Sequence, residues 1–208
     1  MRRRRGIQLA AAASIVVIFT LGISGPVSGG ESPRNPSRWD WLGAQGGTYW
    51  YVPQENLEAF RWQLTAPQDA PPIGDQTVWH IERYENGYFF GPLVVQFLGL
   101  PRLCQYLIGS VTPDGRVYIS FNAVEAIPAG TPSLTTGFGH MARADGGAWS
   151  FTMQMASGSS SSQVTHWASM QQCTPRDACW TDLPGVGGSL LGLLAGCSGT
   201  APSRSRPD

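Results

Sequence analysis

Apolar and polar residues alternate through most of this chain, in short runs punctuated by turn residues. The most regular run is 148–156, where Trp149, Phe151, Met153 and Met155 alternate with Ser150, Thr152 and Gln154, the period of a strand with one buried face. Residues 163–171 repeat it, with Val164, His166, Ala168 and Met170 set against Thr165, Trp167, Ser169 and Gln171. Between residues 77 and 97 lies TVWHIERYENGYFFGPLVVQF, two β-branched and aromatic runs joined by Asn86-Gly87. Both central residues of a type I′ turn need positive φ, which this dipeptide supplies. A two-residue turn there sets Tyr84 opposite Phe89 and His80 opposite Leu93. It gathers Val78, His80, Glu82 and Tyr84 on one face with Phe89, Leu93 and Val95.

Two further hairpins follow. Around Thr112-Pro113-Asp114-Gly115, Pro and Asp initiate a turn and Gly closes it. Val111 then faces Val117, Gly109 faces Ile119 and Leu107 faces Phe121, while Ser110–Tyr118 and Ile108–Ser120 form the opposite, mixed face. The third turns at Asp145-Gly146-Gly147 between 135–143 and 148–156. With 48–52 these make eight predicted strands: 48–52, 77–84, 88–97, 104–112, 116–122, 135–143, 148–156 and 163–171. Residues 54–64 carry Leu57, Phe60, Trp62 and Leu64 near helical spacing, with acids early in the segment, and predict a short helix. It sits in the long connection 53–76, a candidate lid or plug. The predicted fold is all-β: an eight-stranded antiparallel up-and-down β-barrel with one short helix in the first long connection, a β-sandwich being the architectural alternative.

Three features resemble the lipocalin/avidin (calycin) superfamily over residues 46–172. They are a Gly- and Trp-containing first strand (Gly47-Thr48-Tyr49-Trp50), a long first connection with a helix, and a C-terminal tail tied by cysteine. The family's first-strand motif is G-x-W, whereas here Trp50 stands three residues after Gly47. The resemblance implies a barrel interior that holds one small ligand.

Residues 1–29 read as an export signal: Arg2 to Arg5, an apolar stretch from Leu9 to Ile23, then small residues. The expected compartment is extracellular or periplasmic, with membrane attachment only if the signal is retained as an anchor. Residues 30–45 read as a flexible leader, although Trp39 and Trp41 within it can pack on the barrel or close one end. Residues 46–172 form the barrel domain, 173–197 a cysteine-tied C-terminal segment, and 198–208 a disordered tail. Formal net charge is zero, but with the four signal arginines set aside ten remain against fourteen acids, about −4. Lysine is absent and the arginines are scattered, which argues against nucleic-acid binding. The four cysteines, Cys104, Cys173, Cys179 and Cys197, read as two disulfides in an oxidising compartment. Three connectivities are possible, one of which joins Cys173 to Cys179 and Cys104 to Cys197. No C-x-x-C pair points to a metal.

Strand parity turns His80 and His166 inward, and places His140 on a face with Phe138 and Ala142. Three imidazoles with Glu82 could form a catalytic zinc or iron site, but the spacing matches no motif. A buried histidine paired with glutamate or backbone is the commoner arrangement, and no cofactor is expected. No G-x-S-x-G elbow occurs, and Glu82, Glu85, Glu125 and Asp145 offer no privileged pair for glycoside hydrolysis. Enzymatic action, as a hydrolase or metal enzyme using His80, Glu82 and His166, is the second alternative. Eight tryptophans and six tyrosines favour a pocket instead, since their rings combine apolar faces with a polar tip. The expected function is therefore binding of a small, partly apolar ligand near Trp50, Trp79, His80, Glu82, Tyr84, Trp149 and His166. A loop-mediated inhibitor or interaction protein, using 53–76 and 123–134, is the first alternative.

Overall fold

The structure of the protein, a computed structural model, describes residues 38–66, 69–123, 134–144, 146–159 and 162–197. Residues 1–29, expected to be an export signal, lie outside the described residues, as do loop residues 124–133 with Glu125, Asp145 and the expected tail 198–208. The strands are β1 (Thr48–Tyr51), β2 (Glu58–Gln63), β3 (Pro72–Gly74), β4 (Val78–Ile81), β5 (Arg83–Glu85), β6 (Tyr88–Val95), β7 (Leu103–Val111), β8 (Arg116–Ala123), β9 (Leu134–Arg143), β10 (Trp149–Gly158) and β11 (Ser162–Cys173). Among the described residues one short α-helix, α1 (Leu190–Ala195), follows. Among the described residues no helix is long and apolar enough to cross a membrane.

Neighbouring strands run β1-β4-β6-β7-β8-β9-β10-β11, all antiparallel, and β11 pairs back onto β1 with Tyr49 opposite Cys173. That closure makes an eight-stranded barrel and excludes the sandwich. Alternation then fills the lumen with one side of every strand. Trp50, Trp79, Phe89, Phe121, Phe151, Leu93, Leu107, Ile119 and Met153 are all fully buried there. Phe151 sits among its neighbours edge-on, with ring centroids 4.4 Å from Trp50 and 5.3 Å from Trp79, the geometry that ring quadrupoles favour. Burying each such side chain contributes about 1.5–3 kcal/mol.

The hairpin registers follow the turns. Asn86 and Gly87 both have positive φ, 52° and 89°, and Tyr84 faces Phe89. Val111–Val117, Gly109–Ile119 and Leu107–Phe121 pair as expected. The register of β4 does not follow. Trp79, not His80, faces Leu93, and Val78 faces Val94, so between β4 and β5 one extra residue has entered. Ile81 and Glu82 together stand opposite Gly91, a β-bulge, and the Glu82 amide donates to the Phe90 carbonyl at 2.8 Å. A one-residue slip exchanges faces. Trp79 and Ile81 therefore enter the core, and Val78, His80 and Glu82, expected inside, point outward.

The first connection also differs. Its helix is one 3-10 turn, Gln54–Asn56, and residues 58–63, expected to be helical, form β2. The end of β11 extends past β1 and offers an open edge, which β2 takes with Thr165 opposite Phe60. β3 then pairs on β2. Pairing with an available edge outweighs a local helical spacing that the run Phe60-Arg61-Trp62-Gln63 also satisfies as alternation.

Residues 38–44, assigned to the leader, are packed. A 3-10 turn over Asp40–Gly43 buries Trp39 and Leu42 and closes one barrel end, where the Trp39 indole N–H donates to the Thr112 carbonyl at 2.8 Å. The C-terminal segment covers the outside of β1, β4 and β6. There Val78, Val94, Leu183, Leu190 and Leu194 form a second apolar cluster with Cys173, Cys179 and Cys197. Disulfides Cys104–Cys197 and Cys173–Cys179 fasten it. Two disulfides fit an oxidising, extracellular-type compartment.

Candidate functional site

The residues expected around a ligand fall into four separate places. Trp50 and Trp79 are lumen packing. The Trp50 indole N–H donates to Thr48 Oγ1 at 3.0 Å, and Trp79 packs edge-on against Phe121 as well as Phe151. Trp149 belongs to the plugged end, stacked on Trp41 at 5.6 Å with the Arg143 guanidinium 4.1 Å over its ring. Tyr84 is half-buried against the same core.

The bulge puts His80 and Glu82 outside. The His80 ring lies flat on Tyr49, centroids 4.1 Å apart and planes within 4°. Its Nε2–H donates to the Gly46 carbonyl at 3.0 Å, and Nδ1 is 3.6 Å from Glu82 Oε1. His140 is exposed on the outer face of β9, whereas His166 points inward from β11. Three histidines on two faces of the wall do not converge on one ion. Among the described residues the donor group close enough for a metal is Cys173, Asp177 and Cys179, and its two sulfurs are bonded to each other.

His166 does what its parity predicts. It is 6% exposed, with Nδ1 3.2 Å from Asp75 Oδ2 and Nε2 2.6 Å from the Asn56 carbonyl oxygen. With Asp75 ionised both partners are acceptors, and the ring satisfies both only in its doubly protonated, imidazolium form. Burial alone presses its pKa down. The hydrogen bond and charge of Asp75, with the Asn56 carbonyl, outweigh that and raise the pKa above the ordinary value. Asp75 is held in turn by the Thr77 hydroxyl, which donates to Oδ1 at 2.7 Å. Behind the pair a void of about 20 Å³ is lined in part by Asp75, Thr77, Thr135, Ser157 and His166, room for one water among polar partners.

In front of His166 opens a cleft of about 660 Å³, within the range of small-ligand sites. The 3-10 turn and β2 supply Glu55, Asn56, Glu58 and Phe60 on one side. β9 and β10 supply Thr136, Phe138, Gln154, Met155 and Ala156, and β11 supplies Thr165, His166 and Trp167 as the floor. Trp167 is 67% exposed, Phe138 61% and Phe60 41%. Of the seven residues expected around a ligand, only His166 lines this cleft. The signal for the others was present in the alternation, since Trp167 and Phe138 occupy the polar, solvent-side phase of their strands. The outward positions of β9 and β10 flanking the cleft, from Thr136 to His140 and from Thr152 to Ala156, carry no carboxylate or guanidinium.

In comparisons with protein-family models, curated proteins and solved structures, nothing matches this chain. None of these comparisons supports the resemblance to the lipocalin and avidin superfamily.

Proposed function

We propose that this is an exported β-barrel binding protein that holds a small, partly apolar ligand, and that the ligand site is the outer cleft over His166. The convergence of three solvent-exposed aromatic rings with polar groups on one 660 Å³ concavity carries this reading. Large exposed rings cost solvation unless something covers them, and rings beside a few fixed polar atoms are how small-ligand sites are built. His166 and Asp75 serve as the scaffold. By gripping the Asn56 carbonyl, the imidazolium holds the 3-10 turn and β2 in place as the cleft's outer wall. The basic, then apolar, N-terminal stretch and the two disulfides support export to the cell exterior or periplasm.

The test is a titration of the mature, oxidised protein with a panel of amphipathic small molecules, followed by the indole N–H resonance of Trp167 in ¹H–¹⁵N spectra. Trp167→Phe assigns that resonance. The reading expects a saturable shift at Trp167 with at least one ligand, and calorimetric binding of that ligand that is lost in Trp167→Ala. Binding that shifts the buried indoles of Trp50 and Trp79 and leaves Trp167 unmoved would place the ligand in the lumen and overturn it.

A further inference from the structure

The proposed cleft has a charge character that its aromatic content alone does not explain. Its formally charged lining consists of Glu55, Glu58 and His166. The charge of His166 is matched by Asp75 at 3.2 Å, which leaves two exposed carboxylates as the net field. The other ion pairs among the described residues are His80–Glu82 and Asp114–Arg116, so neither Glu55 nor Glu58 is neutralised by a salt bridge there. Arg61, the guanidinium of β2, shares the inward phase of Ala59 and lies off the cleft face that carries Phe60. Burial raises the pKa of the nearby Tyr51 hydroxyl, and the negative charges of Glu55 and Asp177 raise it further.

The rings stand where a cation would need them. Phe138, Gln154 and Trp167 form one cross-strand row, so Phe138 and Trp167 are two strand spacings apart, roughly 9.5 Å. Thr165 faces Phe60, which puts the third ring one outward position along β11 from Trp167. All three residues line the one cleft, and an aromatic face attracts positive charge held within about 6 Å of its centre. Met155 and Ala156 line the apolar remainder.

We propose that the cleft selects an organic cation, an ammonium group attached to an apolar body, with the ammonium between the rings and the Glu55 and Glu58 carboxylates. This rests on the cleft being the ligand site. An anionic ligand would meet two carboxylates with no arginine to oppose them. A neutral ligand would leave those charges unused.

The test compares three probes of similar size by calorimetry and by the Trp167 indole shift: benzyltrimethylammonium, benzyl alcohol and benzenesulfonate. The expected result is that the cation binds roughly tenfold tighter than the alcohol, that the sulfonate does not bind, and that affinity falls as salt is raised. Glu55→Gln with Glu58→Gln, isosteric changes at exposed sites, should lower cation affinity about tenfold and leave the alcohol unchanged, with an unaltered melting temperature as the folding control. Equal or tighter binding of the alcohol or sulfonate at Trp167 overturns cation selection while the cleft remains the ligand site. Shifts confined to the buried indoles overturn both.

Discussion

His166 and Asp75, 91 residues apart in the chain, meet at 3.2 Å inside the barrel mouth, and the far nitrogen of the same ring reaches the Asn56 carbonyl. One protonated side chain thus joins the barrel floor, the segment entering β4, and the turn that forms the cleft wall. Because both acceptors lack a proton to give, deprotonation of His166 breaks one of the two contacts.

The pH dependence of stability follows in sign. The folded protein holds the His166 proton more tightly than the unfolded chain does, so its pKa is raised from 6.5. Its stabilising contribution is full below about pH 6.5 and is lost as pH rises through the elevated folded value. The melting temperature of the wild type should therefore fall on going from pH 6 to alkaline conditions by more than that of His166→Gln. Parallel curves for the two proteins would contradict the assignment. Asp75→Asn removes the counter-charge, so burial then favours the neutral ring and His166 sheds its proton; with the charge-assisted hydrogen bond gone, the variant should lose about 1.5–3 kcal/mol in denaturant unfolding near pH 6.

Two buried glutamines should respond oppositely to replacement by leucine. Gln76 Nε2 donates to the Val52 carbonyl at 2.9 Å, and its Oε1 accepts the Gly185 amide at 2.7 Å, so it clamps the end of the first strand to the C-terminal segment. Gln76→Leu strands both backbone groups and should cost about 2–4 kcal/mol. Gln105 Oε1 is buried without a hydrogen-bond partner. Gln105→Leu removes that liability and should leave stability unchanged or raise it by about 1 kcal/mol. Urea midpoints of the two variants, measured side by side, check the contrast.

The bulge predicts an intolerant glycine. A Cβ on Gly91 would run into the carbonyl oxygen of His80, backbone that cannot swing aside as a side chain can. Gly91→Ala should lower stability by about 3 kcal/mol or more. It should also move the His80 ring off Tyr49, visible as a change in the His80 proton shifts. A neutral substitution would mean that the bulge relaxes, and with it the outward placement of His80.

The two disulfides should contribute unequally. Cys104–Cys197 spans 93 residues and Cys173–Cys179 spans 6. In the chain-entropy account, losing the long loop costs about 4.7 kcal/mol and the short one about 2.2 kcal/mol. Thermal unfolding of the paired Cys→Ala variants should rank them in that order. The reverse ranking would show that the six-residue loop acts through native packing, not through the unfolded chain.

Local sequence determined the eight barrel strands and most of their turns. Asn86-Gly87 and Pro113-Asp114-Gly115 set chain reversal through the φ values they permit, and period-two alternation told which residues of β8, β10 and β11 face the core. These are properties of a few adjacent residues, so they survive without knowledge of the rest. Tertiary structure decided the remainder. Gly91, by letting the backbone of His80 and Glu82 approach, admits one extra residue and turns His80 outward while Trp79 goes in. The open edge of β11 converts 58–63 from a helix to a strand. The candidate site depends on both scales. His166 was legible from parity, but Glu55, Phe60, Phe138 and Trp167 become neighbours only when β2 docks on β11 and the barrel closes, because contacts between residues far apart in sequence are fixed by pairing across the sheet and not by any local preference.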